Sequence, residues 1–306
     1  MPAWSQANLP HPVNLVLQEG QTVWKDPRGP LTQKARELGL SPAEVHRIRK
    51  NVGYVYCPGD QAKGGASLGT GMLVGNGDQV VTDAHLFIDP ETNLRREPLA
   101  DCRFINLADP SAVVRFDFTG EKTYKFYAPF PKAAWYNDRA IVRLTHRIPG
   151  ADPFPFDLDE APLKRGDPLI MISAEQKRLT FSMPQHHVSI TSQDRRWVIE
   201  TDVNNEPIAQ ACRVMGYYAR TARASSVVYS DCNDTEGASG SVILIRKPDG
   251  SLAARALLTQ GGIPAADYKP FKVGSGVGYD DLSFTLSIGL DANVHDDITM
   301  MERAHE

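Results

Sequence analysis

The chain has 306 residues, 42% hydrophobic and 23% charged, with 33 basic and 37 acidic side chains and a net charge of −4. This suits a soluble globular core, in one bilobal domain or two. It excludes the basic footprint of a nucleic-acid binder or of a protein drawn to anionic lipid.

Residues 1–30 are rich in Pro, Asn and Gln and read as an irregular arm. They lack the basic and apolar regions of a signal peptide, so the chain is either cytosolic or starts after a removed signal. No apolar run is long enough to span a bilayer, and membrane insertion is not expected. A helix is expected over residues 31–38. A second starts at Ser41-Pro-Ala-Glu44, a capping box with proline at the first helical position, and runs to about Asn51.

Strands are expected from there on. Met72–Val74 and Gln79–Thr82 flank Gly75-Asn-Gly-Asp78, and Asn-Gly is a strong hairpin signal. Further strand-like runs are Arg103–Asn106, Ala112–Phe118, Tyr124–Phe126 and Ala140–Leu144. The Pro- and Asp-rich stretch 149–162 reads as a linker. Strands resume at Pro168–Ser173, Val188–Thr191, Trp197–Thr201, Val227–Tyr229, Ser241–Ile245 and Arg255–Thr259. Many short strands with turn signals argue for an all-β sandwich or barrel. The tail from Asp281 is ambiguous and ends in a candidate helix. Residues 1–50, 51–150, 165–280 and 281–306 are the expected arm, first β-unit, second β-unit and tail.

Three motifs carry chemistry. Asp234-Thr-Glu-Gly-Ala-Ser-Gly-Ser241 places Ser239 in a tight glycine turn. A serine hydroxyl needs a base to take its proton and donors to hold the oxyanion that forms. The amides of Gly237 and Ser239 can converge to supply the second. Val80-Val-Thr-Asp-Ala-His85 delivers a histidine from the end of a β-branched run, and Asn137-Asp138 precedes the apolar run Ala140–Leu144. The order His85, Asp138, Ser239 is that of one of the three known arrangements of a Ser-His-Asp triad. Taken singly, each has a plainer reading: a structural histidine, a strand-capping aspartate, a turn serine. The order favours catalysis. An α/β-hydrolase elbow, Gly-x-Ser-x-Gly, fails at Ser241.

Other features point to less. His186-His187 would face opposite sides of a strand and make poor joint metal ligands. Gly274-Ser-Gly-Val-Gly278 lacks the setting of a nucleotide loop. Asp291–Asp297 lacks calcium-loop spacing and reads as a solvated run. Asn233-Asp-Thr235 is a glycosylation sequon beside the candidate pocket and reads as accidental. No metal or cofactor is expected. None of the four cysteines forms a Cys-x-x-Cys pair, which argues against zinc or thioredoxin-type chemistry.

The segments Gly69–Val74, Val80–His85, Asp138–Leu144, Leu163–Ile170 and Asp231–Ser241 together resemble the trypsin/chymotrypsin superfamily of serine proteases. Within it they look closest to the bacterial trypsin-like branch that includes the glutamyl endopeptidases. The resemblance implies two antiparallel six-stranded β-barrels, here with an N-terminal helical extension. It implies a serine endopeptidase acting on protein or peptide through an acyl-enzyme: Ser239 the nucleophile, His85 the general base, Asp138 its orienter, Gly237 and Ser239 the oxyanion hole. The alternative is a catalytically inactive binding or adaptor protein on the same fold. On this framework the cysteines are expected to pair as Cys57–Cys102 and Cys212–Cys232. Disulfides in turn imply a periplasmic or secreted protein.

The chain departs from the family in three ways. Asp83 stands where the family usually has a small residue, and either a solvated charge or a perturbation of His85 is open. Ala238 replaces the aspartate that pairs with a new N-terminus in the digestive members. The pocket residues are expected to be Asn233, Asp234, Thr235, Thr259, Gly261 and Gly262. A carboxylate at Asp234 argues for Lys or Arg before the scissile bond and against Glu.

Overall fold

Side-chain alternation along the strands of each half sets the architecture. In the first, Leu73, Val80 and Val142 point into one core while Met72, Val74, Val81 and Ile141 point into another. In the second half Leu169 and Met171 face one core and Ile170 and Ile172 face the other. Period-2 strands with both faces apolar must be covered on both sides. The shared cluster is therefore the seam between two β-lobes, and each lobe keeps its own interior.

The computed structural model describes residues 15–18, 21–24, 28–58, 67–89, 92, 94–96, 98–109, 111–120, 122–127, 137–158, 161–174, 188–193, 196–201, 206–219, 225–232, 234, 237–264 and 283–304. The arm contributes β1 (Leu15–Gln18), β2 (Gln21–Trp24), β3 (Gly29–Pro30), α1 (Leu31–Lys34) and α2 (Pro42–Asn51). The first lobe holds β4 (Val52–Cys57), β5 (Ser67–Val74), β6 (Gln79–Thr82), β7 (Arg103–Asn106), β8 (Val113–Arg115), β9 (Tyr124–Phe126) and β10 (Ala140–Arg143). The second part of the chain holds β11 (Pro168–Ser173), β12 (Val188–Gln193), β13 (Arg196–Thr201), β14 (Ile208–Tyr218), β15 (Val227–Ser230), β16 (Val242–Arg246), β17 (Leu252–Pro264), β18 (Ser283–Gly289) and α3 (Ala292–Arg303).

The first sheet runs β8-β7-β4-β5-β6-β10-β9, and the bridge Phe116↔Leu144 curls it into a half-barrel. Phe87, Phe116, Phe118, Tyr124 and Phe126 fill its mouth with ring centroids 5.1–6.3 Å apart. The second sheet runs β11-β16-β17-β18-β15-β14, and β11 pairs with β14 to close a six-stranded barrel. The all-β, two-lobed architecture agrees with the sequence expectation.

Several boundaries differ. The arm is not separate: β3 pairs with β14, so Gly29–Pro30 extends the second sheet. The second sheet reaches Gly289, past residue 280, because β18 lies between β17 and β15. The first helix stops at Lys34 and continues as turns. The capping box forms as expected: Glu44 N donates to Ser41 Oγ at 3.3 Å and Ser41 N to Glu44 Oε2 at 2.7 Å. Residues 151–158 are no loose linker, since Phe154 and Asp157 are buried and Asp157 pairs with the buried Arg255.

The solvated-run expectation for Asp291–Asp297 is overturned. Asp291 caps α3 through Asn293 N and Val294 N. Asp297 is buried and accepts from Lys125 Nζ at 2.7 Å and from the Tyr127 hydroxyl. These charges are absorbed because first-lobe cations and hydroxyls meet them. Burial and Asp297 together push the Tyr127 hydroxyl far above its ordinary titration range.

Candidate active site

The histidine and the aspartate meet because of strand register. β10 pairs antiparallel with β6, with Ala140 opposite Thr82. Continuing that register past the strand ends brings Asp138 beside the turn at His85. Ala84–Leu86 forms a single 3₁₀ turn that lifts the imidazole off the strand end. Asp138 Oδ1 accepts from the His85 amide at 2.8 Å, and Oδ2 lies 2.6 Å from His85 Nδ1. The carboxylate thus grips the residue by backbone and ring together, which fixes the ring's orientation and favours the proton on Nδ1. Asp138 is buried; the imidazole is about a quarter exposed, at 24%.

The Ser239 turn docks against the same strand ends. Ser239 O accepts from Thr70 N of β5 at 2.7 Å. Thr70 Oγ1 donates to Gly237 O at 3.2 Å and accepts from Ala174 N at 2.9 Å, while Thr82 Oγ1 donates to Thr70 O at 2.6 Å. Gly240 N donates to Leu258 O at 2.8 Å. Gly237 (φ 93°) and Gly240 (φ 81°) adopt backbone angles that L side chains rarely take. A β-carbon on Gly240 would also collide with the Thr70 carbonyl oxygen and Thr82 Oγ1. That close approach is what carries a second-lobe turn onto β5 and β6 of the first lobe.

The turn is braced behind. Cys212–Cys232 joins β14 to the start of the loop that leads to Ser239, and Cys57–Cys102 closes a 45-residue span of the first lobe. Asp231 Oδ1 accepts from Arg213 N at 2.6 Å. Burial raises the Asp231 carboxyl above its ordinary value, and that amide pulls it back.

Asp83 is not a solvated charge. Its carboxyl is fully buried and lies 3.8 Å from His85 Nδ1. Burial pushes its pKa well above the carboxylate range, and Asp138 pushes it further. The nearby Gly240 amide opposes this, though its N–H donates to Leu258 O. Asp83, His85 and Asp138 set one atom each within 4.8 Å of one another, close enough to hold a cation. However, His85 Nδ1 is already committed to Asp138.

The remaining sequence candidates divide. Thr259 and Gly261–Gly262 lie on β17, where Thr259 is buried and its Oγ1 reaches Leu257 O at 3.4 Å. Asp234 is half-buried and already engages a partner. Asn233 and Thr235 lie outside the described residues, as do His186-His187 and Gly274–Gly278. Sequence reasoning missed Thr70, Thr82 and Gly240 as the stitch between lobes. It also missed Arg139, next to Asp138, whose Nη1 donates to Gly289 O at 2.8 Å and approaches Asp291 Oδ2 at 3.5 Å.

No family model matches the sequence, and no curated protein matches it. Among solved structures, the chain is similar to a thermostable serine protease from an extremophilic microorganism, at 13% identity and TM-score 0.49, over 82% of this chain and 95% of that one. It is similar to a Glu endopeptidase at 11% identity and TM-score 0.48, over 90% and 96%. It is also similar to the Rv3671c protease of M. tuberculosis in its active form, at 12% identity and TM-score 0.46, over 85% and 87%.

Proposed function

We propose that this chain is a serine endopeptidase in which Ser239 attacks the scissile carbonyl. The observation that supports this most is the two-point grip of Asp138 on His85, at 2.8 Å and 2.6 Å, while the turn that carries Ser239 is bonded to Thr70 of the same lobe. His85 Nε2 takes the serine proton, and Asp138 holds the tautomer and stabilises the imidazolium. The proton then passes to the leaving amine, and water repeats the sequence on the acyl-enzyme. Among the described residues the amides of Gly237 and Ser239 have no hydrogen-bond partner, so both can serve the oxyanion. Each such donor lowers the barrier by about 3 kcal/mol in comparable enzymes. Two disulfides fit a periplasmic or secreted setting. No helix among the described residues is long and apolar enough to cross a membrane.

A fluorophosphonate probe tests the proposal. It is expected to label Ser239 in the native protein and to fail after unfolding or in Ser239→Ala. Ser239→Ala and His85→Ala are each expected to remove nearly all turnover, with the double variant little worse, because the residues act as a unit. Absence of labelling in folded protein would favour the binding-protein alternative. For the pocket, Asp234 is the candidate carboxylate, and Arg is expected before the scissile bond. Matched Arg, Leu and Glu substrates check this. If Glu wins, or if Asp234→Asn leaves an Arg preference intact, the Asp234 assignment fails.

A further inference from the structure

Asp83 is a buried carboxyl that the proposed chemistry leaves without a role. Neither oxygen has a hydrogen-bond partner, and the side chain is wholly shielded from solvent. An unpaired buried carboxylate is costly enough that such a group takes up a proton instead. Asp138 sits in the same cluster, with both of its oxygens already accepting N–H groups from His85. The groups facing Asp83 are the His85 imidazole from its own turn, the Asp138 carboxylate from the loop before β10, and the Gly240 amide from the nucleophile turn. Among the described residues no lysine or arginine lies within ion-pair distance of it. Two carboxylates this close in a dry site do not both ionise.

We propose that Asp83 is a positioning residue for the His85–Asp138 pair: the two carboxyls hold one proton between them, it resides on Asp83, and the single negative charge stays on Asp138. Donors decide the location, since Asp138 has two and Asp83 has none. While Asp83 is neutral, His85 answers to one carboxylate. When Asp83 releases its proton to solvent at alkaline pH, a second negative charge appears 3.8 Å from Nδ1. The charge balance around the imidazole that accepts the Ser239 proton then changes. Asp83 thereby decides whether His85 faces one negative charge or two across the working pH range. The catalytic meaning of this rests on the proposed function; the proton's location does not.

Infrared difference spectra and an NMR titration of His85, both on protein dialysed against a chelator, test it. The wild type is expected to show the carbonyl stretch of a protonated carboxylic acid at neutral pH. Asp83→Asn should lose that band and Ser239→Ala should keep it. The wild-type His85 resonances should show a second inflection in alkali, at the pH where that band fades. In Asp83→Asn that inflection should vanish, together with the matching feature in the kcat/KM profile. A wild-type spectrum without the band at neutral pH overturns the proposal. So does a His85 titration identical in the two proteins. If Asp83→Asn folds poorly, the wild-type band decides alone, since it must persist from acid through neutral pH and fade in alkali. Because the band needs no turnover, it would still locate the proton if Ser239 proved unreactive.

Discussion

A carboxyl whose pKa the fold raises changes how stability depends on pH, and Asp83 fixes the sign. Burial and the neighbouring Asp138 raise its folded-state pKa well above that of an unfolded aspartate. Between those two values the folded state holds one proton more than the unfolded state. Stability is therefore full below the unfolded value and declines as pH rises through the window, by up to about 1.4 kcal/mol per pH unit. Asp83→Asn removes this term, so its unfolding free energy is expected to be flatter with pH and higher than the wild type's near neutrality. Chemical denaturation across a pH series checks this, and parallel curves for the two proteins would refute it. His85, Asp138 and Ser239 stand out in the sequence as candidates because each sits next to a strong local signal, a β-branched run or a glycine turn. Thr70 was not, because a threonine inside a strand carries no mark of the hydrogen bonds it makes to another lobe. The buried state of Asp83 was equally invisible, since one aspartate reads the same whether dry or solvated.

The C-terminal helix is the element that holds Asp138's neighbourhood in place. Arg139, buried on first-lobe strand ends, reaches Gly289 O and Asp291, while its guanidinium stacks on the Tyr127 ring at 4.4 Å from the centroid. Asp291 also accepts from Ser225 Oγ, so one carboxylate caps α3 and ties both lobes to the residue beside Asp138. Asp291→Ala is expected to cost about 3–5 kcal/mol, chiefly because Arg139 is left as a buried unpaired charge, with about 1 kcal/mol from the lost cap. It should also lower kcat more than it raises KM, as the Asp138 loop loosens. Urea unfolding and steady-state kinetics on one preparation check both. A loss under 1 kcal/mol would mean that Arg139 finds another partner. The strands easiest to foresee were short alternating runs bounded by turns, such as β5, β6 and β11. β14 escaped because Arg213 breaks its apolar run and its Gly216 falls at a register shift. β18, with its serines and threonine, also escaped, because those hydroxyls are satisfied only by the neighbouring strand, as when Thr285 meets Ser230 at 2.6 Å.

At the scale of the whole molecule, the two disulfides separate stability from catalysis. Cys57–Cys102 spans 45 residues within the first lobe, and Cys212–Cys232 spans 20 residues and ends on the loop that leads to Ser239. In the chain-entropy model the longer loop contributes about 4 kcal/mol and the shorter about 3 kcal/mol. Position predicts the opposite ranking for activity. Removing Cys57–Cys102 leaves β4 still paired on both sides, by β5 and β7, so the His85 turn keeps its support. Removing Cys212–Cys232 frees the start of the loop whose far end is held by Thr70 and Leu258. Cys57→Ala/Cys102→Ala is therefore expected to lose more stability, and Cys212→Ala/Cys232→Ala more kcat. Thermal unfolding and burst-phase titration of the two double variants, at a temperature where both stay folded, compare the effects directly. If activity simply follows stability in both, the lobes behave as one cooperative unit, and the nucleophile loop owes nothing special to its own bridge.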